Sequence, residues 1–201
     1  MPRTPEASAA VRDATRARIR RAAVLLMAEQ GYHATTLRQI ASRAGVAAGL
    51  PSRYFGSKDG LLIDVANGWR DRTRDALAAH ADEGPAATLR LLVRSALLGL
   101  DESPEEVQEG RAVSALLADP QAREVLRAAQ ADQESIDLFD SLDRALRASG
   151  SPDPEGDRLL LLAGIRGGLS LAAEDENFPL RDLEDVLVAR VLRTAGESSR
   201  R

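Results

Sequence analysis

The chain has no cysteine, which excludes a disulfide framework, thiol catalysis and thiolate metal ligation. Histidine occurs only at His33 and His80, so a histidine-built metal site is not expected, and neither is a cofactor. No apolar run reaches the roughly 18 to 20 residues that a membrane span needs. The best candidate, 159–165, ends at Arg166. The first residues, MPRTPEASAA, lack the apolar centre of a signal peptide, so a cytoplasmic protein without membrane contact is expected. Period-two runs are missing as well, which argues against strands. No set of nucleophile, base and oxyanion donor is visible; the acidic residues Asp132, Glu134, Asp137 and Asp140 read as a solvated helix face, and catalysis is not expected.

What remains is a 201-residue chain with 44% hydrophobic and 29% charged residues, the composition of a folded globular protein and enough length for a small domain joined to a larger one. The net charge of −4 is unevenly distributed. Residues 1–58 carry ten basic side chains against Glu6, Asp13 and Glu29, whereas the remainder carries 17 basic and 28 acidic ones. A basic end on an acidic protein is the electrostatic footprint of a nucleic-acid contact.

Within that basic end, the stretch TLRQIASRAGVAAGLPSRYFGSK, residues 36–58, reads as two short helices around a tight turn. Thr36 and Gln39 have the spacing of a capping box. Leu37, Ile40, Ala41 and Ala44 form one narrow apolar face, and Arg38, Gln39, Ser42 and Arg43 lie opposite. Gly45 can take positive φ at the end of the first helix, and Val46 can fold back over the corner. A helix from Val11 to Gln30, ended by Gly31, would pack Ile19, Ala22, Ala23, Leu26 and Met27 across this pair, with Tyr32, Leu37, Ile40, Val46 and Phe55 as further core. Such a unit is a helix-turn-helix, whose second helix fits the major groove of DNA. Pro51 interrupts that second helix: it has no amide to donate and would crowd the carbonyl near Ala47. The helix is therefore expected to start later than Ala48 or to have a distorted first turn.

The pattern from Ile19 to Leu62 resembles the DNA-binding domain of the TetR-type transcriptional regulators. Ile19, Ala22, Ala23, Leu26, Gly31, Thr35, Thr36, Ile40, Ala41, Ala44, Gly45, Val46, Gly49, Tyr54, Phe55, Lys58 and Leu61 carry the likeness. The resemblance implies that Ala47, Ala48 and Leu50 face bases and that Ser52, Tyr54 and Lys58 touch the DNA backbone. Ser52 departs from the aromatic residue usual at its position. The residues themselves add Thr36 and Arg38 as phosphate contacts and Arg53 as a contact to guanine or to phosphate. Lys58, a cation in the first turn of a helix, opposes the macrodipole and calls for an anion.

The rest of the chain is rich in helix signals. A helix is expected from Lys58 through Trp69 to His80, and another from Pro85 to Leu100. Ser103-Pro104, Asp119-Pro120 and Asp153-Pro154 each place a capping residue before proline. One long helix from Pro120 to Ala148 would end at Gly150, and the last helix would follow Pro179 and run to Thr194. The expected class is all-α with about nine helices: a tail over 1–10, a helix-turn-helix domain over 11–58, a ligand-binding and dimerisation domain over 59–196, and a tail over 197–201. The last two helices are apolar nearly all round, which points to a homodimer through Leu159, Leu162, Ile165, Leu169, Leu187 and Val191. Gly164, Gly167 and Gly168 would permit close approach between copies. Trp69, His80, Arg94, Arg111, Gln130 and Arg166 are candidates for the polar lining of a small-molecule pocket. Together with the resemblance, these features predict a dimeric DNA-binding repressor, released from a near-palindromic operator by a small-molecule effector. The alternative is a helical small-molecule-binding protein with a vestigial helix-turn-helix.

Overall fold

The structure, a computed structural model, describes residues 5–100, 103–130, 138–175 and 177–198. Among these the regular elements are all helical: α1 (Pro5–Gln30), α2 (Leu37–Arg43), α3 (Leu50–Phe55), α4 (Lys58–Ala79), one 3-10 turn (Ala81–Glu83), α5 (Pro85–Leu97), α6 (Pro104–Ala118), α7 (Pro120–Gln130), α8 (Leu138–Ala148), α9 (Pro154–Glu174) and α10 (Leu180–Ser198). No helix among the described residues is long and apolar enough to cross a membrane.

The all-α class is as expected; α5 ends at Leu97, short of the expected Leu100, and the boundaries of α1 and α10 also differ. The span expected as one helix from Pro120 to Ala148 is described as α7 and α8; residues 131–137, including Asp132, Glu134 and Asp137, lie outside the described residues. The expected tail over 5–10 is instead the start of α1: Ala7, Ala9 and Ala10 favour helix, and a proline in the first turn sacrifices no internal bond. At the other end α10 continues past Thr194 to Ser198.

The local stop and start signals work as read. Asp153 accepts the Gly156 amide at 3.0 Å with Pro154 in the first turn of α9. Asp119 Oδ1 accepts the amides of Gln121 and Ala122 at 2.8 and 3.1 Å at the head of α7. Such caps satisfy amides that the helix cannot, at about 1 kcal/mol each.

The chain forms two compact units. The first comprises Met1–Gly68 and Leu116–Asp132. Its core joins Ile19, Ala23, Ile40, Leu61 and Leu62 to Leu116, Ala122 and Leu126. The packing therefore does not stop at Lys58, where the sequence suggested a boundary; Leu61 and Leu62 carry the start of α4 into the same core. The second unit comprises Trp69–Ala115 and Gln133–Arg201. There α5 packs on α8, α9 and α10, around Leu89, Leu97, Leu146, Leu161, Val188 and Val191.

Gly164 and Gly168, read from the sequence as points of approach between copies, are used inside the second unit. A β-carbon at Gly164 would run into the Leu187 side chain, and one at Gly168 into Leu183, both on α10. At Gly167 the same atom would meet nothing within 4 Å. For Gly164→Ala, overpacking costs about 1–3 kcal/mol, which exceeds the roughly 1 kcal/mol gained in helix propensity. The expected outcome is a lower denaturant midpoint for Gly164→Ala; an unchanged or raised midpoint would contradict the tight α9–α10 contact.

Candidate nucleic-acid interface

The first helix of the pair is fixed at both ends. Thr36, with extended backbone, accepts the Gln39 amide at 3.2 Å through its hydroxyl, and Gln39 Oε1 accepts the Thr36 amide at 2.9 Å. Both halves of the capping box are present, and α2 begins one residue later, at Leu37. At its end Gly45 has φ of +62°. The Gly45 amide donates to Ser42 O at 3.1 Å and the Val46 amide to Ala41 O at 3.0 Å, the paired bonds of a Schellman motif. A side chain at position 45 would strain this turn.

The second helix starts late, as Pro51 requires. Gly49 is its N-cap, Leu50 its first residue, and Pro51 sits buried in the first turn. Leu50 N–H closes a turn on Ala47 O at 2.9 Å before the helix begins. Ala47 and Ala48 therefore lie in the turn, exposed. Thr36, Arg38, Ser52 and Arg53 are exposed as well. Leu50 and Tyr54 are half-buried and pack on the core of the first unit, so of the expected contact residues these two are also structural.

Much of the local basic charge is already engaged. Arg16 and Arg20 of α1 both pair with Asp64 of α4, and their guanidinium carbons lie 5.5 and 6.0 Å from the centre of the Phe55 ring. Arg43 makes a two-pronged pair with Glu29, which holds that carboxyl below the usual range through the hydrogen bond from Arg43. Arg18 donates to Gly45 O at 3.1 Å. Arg38 and Arg53 have no ion pair among the described residues.

Lys58 finds its negative counterpart within the chain. Its ammonium donates to Tyr32 O at 2.7 Å and His33 O at 3.2 Å, and lies 4.3 Å from the centre of the Tyr32 ring. Two carbonyls and a ring face thus supply what the helix dipole argument sought from a phosphate. Tyr32 is 5% exposed; its hydroxyl donates to Asp59 and its amide to Asp119 Oδ2 at 3.1 Å. Burial, then the bond to Asp59 and the fields of Asp59 and Asp119, push the Tyr32 hydroxyl well above the usual tyrosine range. Desolvation raises the Asp119 carboxyl, but the amides of Tyr32, Ala122 and Gln121, with the field of Lys58, outweigh it and hold it below the usual range. Asp119 reads in the sequence only as the cap of α7, and Asp64 carries no local signal, because their partners across the chain are set by packing and not by spacing.

The candidate pocket residues differ in burial and in partners. Arg94 Nε donates to both oxygens of Glu184, at 3.1 and 3.2 Å, and Arg90 pairs with Asp185 at 2.6 Å. Glu184 is 2% exposed, so Arg94 serves as a tie between α5 and α10 within the second unit. Arg166 is exposed on α9, so solvent rather than a buried anion can serve its guanidinium. His80 is exposed, with Nδ1 2.8 Å from Ala76 O. Trp69 on α4 and Arg111 on α6 are half-buried, and the Gln130 side chain lies outside what is described. Among the expected dimer residues, Leu187 and Val191 are buried in their own chain, at 6% and 0% exposure, because α10 turns that face to the core of the second unit. Leu159 is open, and Leu162, Ile165 and Leu169 are half-buried.

Residues 19–65 match the family model described as bacterial regulatory proteins, tetR family. The HTH-type transcriptional regulator BetI of Paraburkholderia phymatum is 38% identical over 88 residues, covering 41% of this chain and 44% of the relative. The match thus spans less than half the length of that curated relative. A transcriptional regulator from Rhodococcus sp. Rha1 superposes with a TM-score of 0.64 at 22% identity, over 90% of this chain and 97% of the other. FadR from Bacillus subtilis, solved in complex with stearoyl-CoA, gives 0.60 at 19% identity, over 88% and 97%. These two likenesses speak to the fold.

Lys58 offers a test by sign. If it were only solvated, Lys58→Met would relieve the dipole and stabilise α4 by a few tenths of a kcal/mol. Losing charge-assisted bonds to two carbonyls instead costs about 1–2 kcal/mol. Chemical denaturation of Lys58→Met is expected to show destabilisation, and a gain in stability would remove Lys58 from the Tyr32 cluster.

Proposed function

The chain belongs to the TetR family of bacterial regulatory proteins, and from that membership we propose that it is a sequence-specific DNA-binding transcriptional regulator, acting as a dimeric repressor released by a small-molecule effector. The observation that carries the reading is the pair α2 and α3, joined through the Gly45 turn, with Thr36, Arg38, Ala47, Ala48, Ser52 and Arg53 exposed on these two short helices and the segments that flank them. Small side chains and two arginines without ion pairs among the described residues suit a groove lined by phosphates and base edges. Leu50 and Tyr54 set the depth of that surface from its half-buried side. In this reading Lys58 holds the head together and is not a primary phosphate contact.

The dimer is supported by apolar surface that the chain leaves uncovered. Leu159 of α9 and Val186 of α10 are 58% and 60% exposed, and Leu160 and Leu171 are also open. A second copy covering these faces would bury them symmetrically. Two heads would then meet successive major grooves of a near-palindromic site, about one helical turn apart. An effector held in the second unit would act by favouring one spacing of the heads over another. The neighbour solved with stearoyl-CoA supports a small-molecule effector as a class, without naming one for this chain.

The test is selection of bound duplexes from a random library by the purified protein, followed by titration of the enriched fragment at several salt concentrations. An enriched palindrome with a steep salt slope is the expected result; weak, sequence-indifferent binding would leave the vestigial alternative standing. Arg53→Ala is expected to weaken binding to the enriched fragment. Relaxed preference at one base pair by about 1–3 kcal/mol marks a guanine contact, whereas a uniform loss with a slope smaller by about 0.9 marks a phosphate contact. Unchanged affinity would remove Arg53 from the interface. The double variant Leu159→Asp, Val186→Asp is expected to sediment as a monomer and to lose the palindrome while keeping its helicity; a persisting dimer would place the interface elsewhere.

A further inference from the structure

We propose that Asp119 is a positioning residue for the DNA-reading helices, and that residues 116–130 complete the reading head. The proposal rests on the operator-binding function argued above. The family match ends at residue 65, so nothing in it assigns a role to this segment.

The Asp119 carboxylate divides its two oxygens between two elements. Oδ1 takes the Gln121 and Ala122 amides and so caps α7. Oδ2 takes the Tyr32 amide at 3.1 Å, across 87 residues of sequence. Tyr32 lies just beyond the end of α1, where its amide has no helical acceptor, and it is buried; without Asp119 a donor would be left unsatisfied. The same residue is gripped from the other side by α4, through Lys58 on its carbonyl and ring and Asp59 on its hydroxyl. From Tyr32 the constraint passes directly to α2. Thr35 donates its amide to Tyr32 O at 3.3 Å and its hydroxyl to Gly31 O at 2.9 Å, and the next residue, Thr36, is the N-cap of α2. The apolar packing follows the same route, since Leu116, Ala122 and Leu126 share one core with Ile19, Ile40 and Leu61. The turn that leads from α1 into α2 is therefore held between the start of α4 and the cap of α7.

The experiment uses full-length Asp119→Asn and Asp119→Ser. Asparagine and serine are good N-caps, so α7 stays capped, but neither offers a second carboxylate oxygen to Tyr32. Asp153→Ala serves as the control, because it removes a cap from α9 in the second unit. Three quantities are read: affinity for the selected duplex with its salt slope, the melting temperature, and hydrogen exchange of the Tyr32 amide. Both Asp119 variants are expected to exchange Tyr32 faster and to bind the duplex about tenfold more weakly with an unchanged salt slope. The control is expected to melt earlier and bind normally. Affinity within about twofold of the parent in both Asp119 variants overturns the positioning role. So does an equal loss of affinity in Asp153→Ala, which would reduce the effect to general stability. A parent chain that selects no duplex overturns the operator reading itself, and the positioning role with it, a failure distinguishable because it precedes any substitution.

Discussion

Helices of seven and six residues do not persist alone in water. Below about 12–15 residues the cost of nucleation is not recovered by internal hydrogen bonds, so α2 and α3 exist only because other parts of the chain hold them. The capping box at Thr36 and the Schellman bonds at Gly45 fix where α2 begins and ends. Each such device contributes about 1 kcal/mol. Burial of a side chain such as Ile40, at 0% exposure, contributes about 1.5–3 kcal/mol and is what makes the helix form at all. That burial needs α1 beneath, the start of α4 alongside, and Leu116, Ala122 and Leu126 from far along the chain. The reading pair is thus the dependent part of the first unit, and its support is nonlocal.

The same support uses up charge. Along the sequence the first 58 residues look like a broad cationic surface, yet Arg16 and Arg20 share Asp64, Arg43 pairs with Glu29, and Lys58 is held by two carbonyls. Asp64 lies just beyond residue 58, so Arg16 and Arg20 and their shared partner fall on opposite sides of that boundary. The local surplus still contributes a long-range positive potential that favours approach to DNA. In the proposed function, close contact with DNA would rest on far fewer groups, chiefly Arg38 and Arg53.

This division explains what the sequence revealed. Signals that act over three or four residues were legible: Thr36 with Gln39, Gly45, Pro51, and the aspartates before Pro120 and Pro154, because the backbone geometry that satisfies them is local. The family likeness was legible for the same reason, since its pattern is compact. Ties across the chain were not. Nothing near Asp119 names Tyr32, and nothing near Arg94 names Glu184. The leucine-rich helices mark the other limit. With apolar residues on every side of α9 and α10, periodicity cannot separate the face that meets the chain's own core from the face left open. The structure buries Leu187 and Val191 and exposes the neighbouring Val186, and it spends Gly164 and Gly168 on contacts within the chain.

Pro51 brings these strands together. By delaying α3 to Leu50 it leaves Ala47 and Ala48 in a turn, so the exposed end of the reading pair carries two methyl groups, the Ser52 hydroxyl and one long side chain, Arg53. Long side chains can absorb an error of placement by changing rotamer; alanine cannot. If this surface reads DNA, methyl contacts to thymine and close approach to base edges succeed only when the backbone itself is correctly placed. A reading surface built from short side chains therefore demands a rigid frame behind it. The convergence of Lys58, Asp59 and Asp119 on Tyr32, shortly before α2, supplies such a frame, and it gives the residue that caps α7 a route to the proposed function of α2 and α3.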